Sequence, residues 1–268
     1  MSNATPNPYL QAALDAADAA AQVIRTAYAQ PFDVRYKQDA SPVTEVDENA
    51  EKAIKQVLQT RFPEHGFFGE EFGRDNADAD YLWLIDPIDG TKSFVRRYPV
   101  FSTQIALMHR GELIVGVSSA PCWYGTERLW AARGEGAWFA RDDEAPRSLA
   151  VSAVDRLDRA TLSTGNLKSL AQSPAWARFG ELIPRLHRIR GYGDFLHYHW
   201  LADGKLDAVL ESDLNILDIA ALTVILREAG AVVSELDGGE VNLDTRNLLA
   251  AVPALHPVLL EALAYTSE

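Results

Sequence analysis

The segment Trp83-Leu84-Ile85-Asp86-Pro87-Ile88-Asp89-Gly90-Thr91 narrows the choice of folds more than any other in the chain: an apolar strand runs into two carboxylates and a Gly-Thr turn. Pro87 lacks an N–H and is expected to end the strand, whereas Gly90 can adopt dihedrals that bring backbone N–H groups close to an anion. Gly69-Glu70-Glu71 lies just upstream, so several carboxylates gather in a short stretch. Close carboxylates repel unless protons, water or cations neutralise them. Hard oxygen donors in that setting suit a hard cation such as Mg²⁺. Taken alone, an Asp-Pro-Ile-Asp-Gly segment also serves as an acidic surface turn.

The chain has 268 residues, enough for one large domain or two intimate halves, and 47% of them are hydrophobic. Its formal charge of −13 disfavours nonspecific nucleic-acid and anionic-membrane binding, and opposes capture of any anionic ligand unless a cation reverses the local field. No apolar run approaches the roughly 20 residues that span a bilayer, and Met1 to Tyr9 has neither the basic nor the apolar region of a secretory signal. Cytoplasmic residence is the resulting expectation. Cys122 is the only cysteine, which rules out an intrachain disulfide and a thiolate cluster within one chain; its apolar surroundings mark it as packing.

Helical spacing of Leu10, Leu14, Ala17, Ala21 and Ile24 predicts a first helix over about 8–29. A second, over about 44–61, is capped by Thr44 and buries Val46, Ala50, Ile54 and Leu58. The loop from Lys37 to Pro42 between them has turn chemistry. A polar segment, Arg74 to Asp80, precedes the buried strand Tyr81 to Ile85. Strands are then expected at Val100–Met108, Leu113–Ser119, Glu127–Ala132 and Gly136–Phe139, an antiparallel meander with helices against it. Beyond a polar connection from Arg141 to Arg147, the second half reads as strands near 161–163, 188–190, 207–211 and 232–234. Helices are expected near 174–186, 194–202, 219–229 and 257–265. The class is α+β, divided into halves 1–140 and 141–268 within one compact unit.

Gly69-Glu70-Glu71, then Trp83 through Phe94, then Leu217-Asp218-Ile219-Ala220-Ala221 resemble the signature motifs of the inositol monophosphatase family of Mg²⁺-dependent, lithium-sensitive phosphatases. The similarity runs from about Pro42 to Gly230. Within that family, Gly69 to Gly73, Asp89 to Arg96 and Arg190 to Phe195 look most like the histidinol-phosphatase branch. The resemblance implies a layered α-β-α-β-α sandwich of the inositol monophosphatase and fructose bisphosphatase type, a homodimer, and two or three Mg²⁺ ions per site. It assigns one cation to Glu70, Asp86 and the backbone carbonyl of Ile88, a second to Asp86, Asp89 and Asp218, and a weaker third to Glu70 and water. It also implies that Thr91, linked to Asp47, orients the attacking water, that the phosphate rests on N–H groups near Gly90 and Thr91, and that Lys37 adds positive charge.

Several of these residues have plainer readings. Asp47 stands three residues after Thr44 and suits a capping arrangement, Asp218 suits a helix cap, and Asp194 suits an N-cap for the helix that follows it. By resemblance, Glu211 and Asp194 face the substrate, with Arg190 at the pocket edge. Two such acids would partner a buried ammonium, which histidinol phosphate carries and inositol phosphate lacks. Inositol 1-phosphate, sugar or nucleotide phosphates, and an inactive metal or phosphate sensor are the alternatives. His197 and His199 are two apart on a helix and do not face each other, so they do not make a metal pair. Leu217 departs from the tryptophan many family members carry there, which bears on the packing of the pocket wall.

Overall fold

The computed structural model describes residues 7–36, 42–173 and 175–264, so Lys37 and Pro174 lie outside the described residues. The first helix, Pro8–Tyr28, starts where Asn7 Oδ1 accepts the N–H groups of Tyr9 and Leu10 and Pro8 occupies the first turn. Its buried face is almost entirely alanine, at 12, 13, 16, 17, 20 and 21, with Ile24. Such short side chains let it lie close against both the helix Glu45–Arg61 and the sheet beneath.

That sheet has eight strands in the order Arg147–Ser148, Ala137–Arg141, Glu127–Ala132, Glu112–Ala120, Ser102–His109, Tyr81–Asp89, Gly66–Gly69 and Gly73–Asp75. Its neighbours are antiparallel except Gly66–Gly69, which runs parallel to Tyr81–Asp89. The helices Asp194–Ala202 and Ile216–Glu228 lie between it and a five-stranded sheet ordered Arg188–Arg190, Thr161–Thr164, Ala208–Ser212, Asn247–Ala251 and Val232–Ser234. Every residue of Ala208–Ser212 is buried, because the helices Leu167–Leu170 and His256–Leu263 complete an outer layer with Trp176–Leu182. The result is the layered α-β-α-β-α arrangement. Among the described residues, no helix is long and apolar enough to cross a membrane.

Pro87 does not end its strand. Tyr81–Asp89 continues through it, and the register against the neighbouring strand slips: Asp86 faces Gln104 and Asp89 faces Ser102, so three steps on one strand match two on the other. This bulge accommodates the missing N–H, and the Pro87 carbonyl accepts the Thr103 hydroxyl at 2.8 Å. The same slip matters for the site. Side chains three apart on a regular strand point to opposite faces, whereas Asp86 and Asp89 both reach one cavity.

Other boundaries differ for local reasons. The helix expected near 174–186 is a shorter helix, Trp176–Leu182, followed by a 3₁₀ turn, Ile183–Arg185, that contains Pro184. The helix expected from 219 begins at Ile216, because Asn215 caps it and accepts the Leu217 N–H at 3.2 Å. The short pairs Val34–Tyr36 with Pro42–Thr44, and Gly73–Asp75 at the sheet edge, are too brief to show a period of two. Asn247–Ala251 is a strand that sequence pattern alone did not distinguish, being a short apolar run.

Candidate active site

A cavity of about 620 Å³ opens where the bulged strand, the segment after Thr164 and the two central helices converge. Asp86, Asp89 and Asp218 meet at its floor, each offering an oxygen within 4.8 Å of the others, and Glu70 adjoins Asp86. Burial, then the charges of Glu70, Asp89 and Asp218, hold the Asp86 carboxyl well above the ordinary carboxylate range. Asp89 is raised strongly by burial and by Asp218 and Asp194, and Asp218 is pushed up to about 6, first by burial. A pocket that raises three neighbouring acids is one in which their negative charges are costly to hold together without a compensating cation. The all-oxygen donor set and that unbalanced charge fit a hard divalent cation.

The capping readings and the site readings turn out to be compatible. Asp47 Oδ2 accepts the Thr44 N–H at 2.8 Å and its hydroxyl at 2.6 Å, closing a capping box at the start of Glu45–Arg61. Its other oxygen lies 3.4 Å from the Thr91 hydroxyl, which has a shorter contact, 2.9 Å, to the Ile88 carbonyl. Asp218 repeats the device: Oδ2 accepts the Asn215 N–H at 2.8 Å in a second capping box, and the side chain still belongs to the acidic cluster. In each case the helix terminus fixes one oxygen and thereby aims the other.

Gly90 has φ 90° and leads into the short helix Thr91–Val95; both Gly90 and Thr91 line the cavity. A Cβ on Gly90 would come within 2.9 Å of the Val100 carbonyl oxygen, so the turn needs glycine for space as well as dihedral.

On the far wall stand Glu211 and Asp194. Glu211 is raised to about 7, chiefly by burial, while the Asn166 N–H it accepts at 2.6 Å pulls the other way. It fills the space a Cβ on Gly165 would need, 1.6 Å from Oε2. Asp194 is not an N-cap. It is the first residue of its helix, with φ 46°, makes no capping bond, and instead accepts the Ser93 hydroxyl at 3.4 Å, from the residues that follow Gly90. Arg190 is exposed, donates to the Ile189 carbonyl at 2.6 Å, and does not line the cavity. The two histidines diverge as expected: His199 sits between Ser118 at 2.8 Å and Glu127 at 2.9 Å, whereas His197 points to Ser163 and Glu211. Leu217 is buried in the core away from the cavity, and Ile219 supplies the apolar wall at that end.

Two residues escaped the sequence reading. Glu51, one turn after Asp47, is buried beneath Gly69 and accepts the N–H groups of Glu71 at 2.8 Å and Phe72 at 3.2 Å, which fixes the segment carrying Glu70. Its signal was an acid on the apolar face of an amphipathic helix. Tyr198, also buried, lines the cavity from the helix Asp194–Ala202. On a helix buried nearly all round, nothing in its spacing singled it out.

The sequence model of the inositol monophosphatase family matches residues 5–267, beyond the span over which the motifs are evident. A histidinol-phosphatase of Mycobacterium tuberculosis is 40% identical over 230 residues, covering 85% of this chain and 88% of that protein. An inositol-1-monophosphatase of Caulobacter vibrioides is 32% identical over 241 residues, covering 86% and 90%. Among solved structures, the extragenic suppressor protein suhB from Bartonella henselae superposes with a TM-score of 0.85 at 29% identity, covering 96% of this chain and 98% of that one. With the motifs, the layered fold and the acidic cavity in agreement, the chain belongs to the inositol monophosphatase family.

Proposed function

We propose that this phosphatase is a Mg²⁺-dependent phosphomonoesterase that hydrolyses histidinol phosphate. The observation that carries the reading is the pairing, in one cavity, of an acidic metal-type floor with two further acids on the wall, Glu211 buried and Asp194 exposed at its rim. A buried carboxylate beside a second acid favours a ligand bearing an ammonium, and ion-paired Glu211 would be held ionised by it.

Glu70, Asp86, the Ile88 carbonyl, Asp89 and Asp218 would hold the cations, which when bound neutralise phosphoryl charge and make water a competent nucleophile near neutral pH. The chain's own groups do the positioning. Thr91, backed by Asp47, orients the attacking water through its hydroxyl, and the backbone N–H groups at Gly90 and Thr91 receive phosphate oxygens. Glu51 keeps Glu70 in place from below. Glutamine at position 51 would turn a donor toward backbone donors, so Glu51→Gln is expected to raise the Mg²⁺ concentration for half-maximal activity about 10–100-fold. A magnesium titration of initial rates reads this directly; an unchanged midpoint rejects the positioning role.

Steady-state kinetics on histidinol phosphate and inositol 1-phosphate test the substrate. A higher kcat/KM on inositol 1-phosphate rejects the histidinol phosphate reading in favour of the activity named for the Caulobacter relative. Asp194→Asn adds a sharper comparison. A charge-assisted bond is worth about 1.5–3 kcal/mol, so KM for histidinol phosphate should rise about 10–100-fold, while an unaminated phosphate ester is spared. Equal losses on both substrates would remove Asp194 from amine recognition.

A further inference from the structure

His197 lies wholly inside the protein, one turn after Asp194 on the helix Asp194–Ala202, and touches one residue on each of two strands, Ser163 and Glu211. Its Nδ1 is 3.2 Å from the Ser163 hydroxyl, and that hydroxyl oxygen also accepts the Tyr192 N–H at 3.2 Å. Its Nε2 is 3.4 Å from Glu211 Oε2 and has no hydrogen bond among the described residues. Tyr192 and Glu211 both line the cavity. One imidazole behind the wall thus connects two of the residues that form it.

Counting donors and acceptors fixes the proton. Burial keeps the ring neutral, holding it down at about 3, so it carries one N–H and one bare nitrogen. Ser163 is buried too, and among the described residues its hydroxyl proton has only Nδ1 to go to, since the Tyr192 amide is itself a donor. Nδ1 is then the acceptor, and Nε2 holds the N–H. The opposite arrangement would leave the hydroxyl proton unused and point a lone pair at a carboxylate. The groups form a chain that runs one way, from the Tyr192 N–H through the Ser163 O–H to the His197 Nε2–H, and such chains strengthen the donor at their end. Glu211 faces that donor with one oxygen only. Oε1 is held by the Asn166 N–H at 2.6 Å, while Oε2 occupies the space that Gly165 leaves beside it.

We propose that His197 is a positioning residue for substrate recognition, whose Nε2–H donates to Glu211 Oε2 when the substrate binds and holds that carboxylate against the organic half of the ester. This builds on the reading of Glu211 as the acid that meets the organic half. A buried donor left open in the free protein and satisfied in the complex contributes to binding, so its loss shows in KM and not in kcat.

Two variants test this. His197→Asn keeps an amide within reach of Ser163, in the place of Nδ1, and has no atom in the place of Nε2; His197→Gln extends a donor to that place. Kinetics are run on whichever of histidinol phosphate and inositol 1-phosphate the wild type prefers. A hydrogen bond to a charged acceptor is worth about tenfold or more, so His197→Asn should raise KM about tenfold with kcat within about threefold, and His197→Gln should return KM to within about threefold of wild type. The inhibition constant of inorganic phosphate, which reaches only the floor, should stay within about twofold. In a Glu211→Ala background His197→Asn should add less than about twofold, because the carboxylate it acts through has gone. An unchanged KM in His197→Asn, a glutamine variant as impaired as the asparagine one, a phosphate inhibition constant that rises with KM, or full additivity with Glu211→Ala each overturn the proposal. Ring nitrogen NMR shifts of the wild-type protein check the tautomer without any variant: a proton on Nε2 supports the proposal, and a proton on Nδ1 overturns it. If Glu211→Ala alone leaves KM unmoved, the reading of the wall has failed and the role of His197 falls with it. A preference for inositol 1-phosphate removes only histidinol phosphate, and the same variants on that ester still decide His197.

Discussion

Replacing Asp86 with asparagine is expected to abolish phosphatase activity and, in metal-free protein, to raise the melting temperature. The two effects come from one cause. Asp86 is buried, and Glu70, Asp89 and Asp218 all disfavour its ionisation. A carboxyl whose folded pKa lies above its unfolded value loses stability as pH climbs from the unfolded value through the folded one. Above that range the folded protein carries a crowded, costly charge that asparagine lacks, and the asparagine oxygen can still accept the Ile88 N–H that Asp86 Oδ1 takes at 2.9 Å. On the proposed metal-dependent reading catalysis goes the other way, because an amide oxygen would be a poor substitute for a carboxylate shared between cations. Losing a supporting group around a metal costs about 10–100-fold, and losing a shared ligand should exceed that range. Thermal unfolding in chelator, paired with phosphate release at saturating Mg²⁺, measures both. Wild-type activity, or a lower melting temperature without metal, would remove Asp86 from the centre of the site.

What could be read from sequence, and what could not, divides along the range of the forces involved. Local devices were legible: Thr44 as a cap, the amphipathic helix after it, and the strand-to-turn passage of Trp83 to Thr91 all act within a few residues. The joint presence of Glu70, Asp86, Asp89 and Asp218 was legible only through motif order, since 148 positions separate the first from the last (218 minus 70). The effect of Pro87 was misread because a missing N–H implies a strand end only if the partner strand demands it. Here a one-residue slip against Gln104 and Ser102 absorbs the proline and turns both aspartates the same way. Arg190 stood beside a legible motif, yet its edge-strand position directs it to solvent. Glu51 takes its interest from Gly69 packed against it, and Tyr198 from its place in the cavity lining, and neighbours of that kind leave no local trace in a sequence.

For Asp47 and Asp218, helix cap and site residue are not mutually exclusive readings. A carboxylate has two oxygens, and a capping box occupies only one. Spending that oxygen on a helix terminus orients the side chain without a dedicated supporting residue. It also places each acid at the positive end of a helix dipole, which eases the gathering of negative charge. The fold thus obtains rigidity and site geometry from the same bond.

Between about pH 6.5 and 8.5 the metal-free protein should lose thermal stability, and millimolar Mg²⁺ should restore it. Glu211 is raised to about 7, and Asp86 and Asp89 lie well above the ordinary carboxylate value, so each becomes costly to ionise in the folded state as pH rises. The choice of window matters. His65, His197 and His256 are held neutral by burial, His197 down to about 3, and a depressed histidine adds stability with rising pH only until the unfolded value near 6.5. Glu127 and Asp203, which are lowered, lose their contribution only in acid, below the unfolded carboxylate range. Above pH 6.5 the raised acids therefore set the slope. A cation at one hundred times its dissociation constant stabilises by about 2.7 kcal/mol, which for a chain of this size corresponds to roughly 5–10 °C. Protons compete for the same oxygens, so the magnesium increment should be larger at pH 8.5 than at 6.5. Melting curves in chelator and in Mg²⁺ at the two pH values measure the difference. An increment that shrinks toward pH 8.5, or a metal-free protein that gains stability over that range, would mean that the cavity floor is not where the charge of this protein is stored.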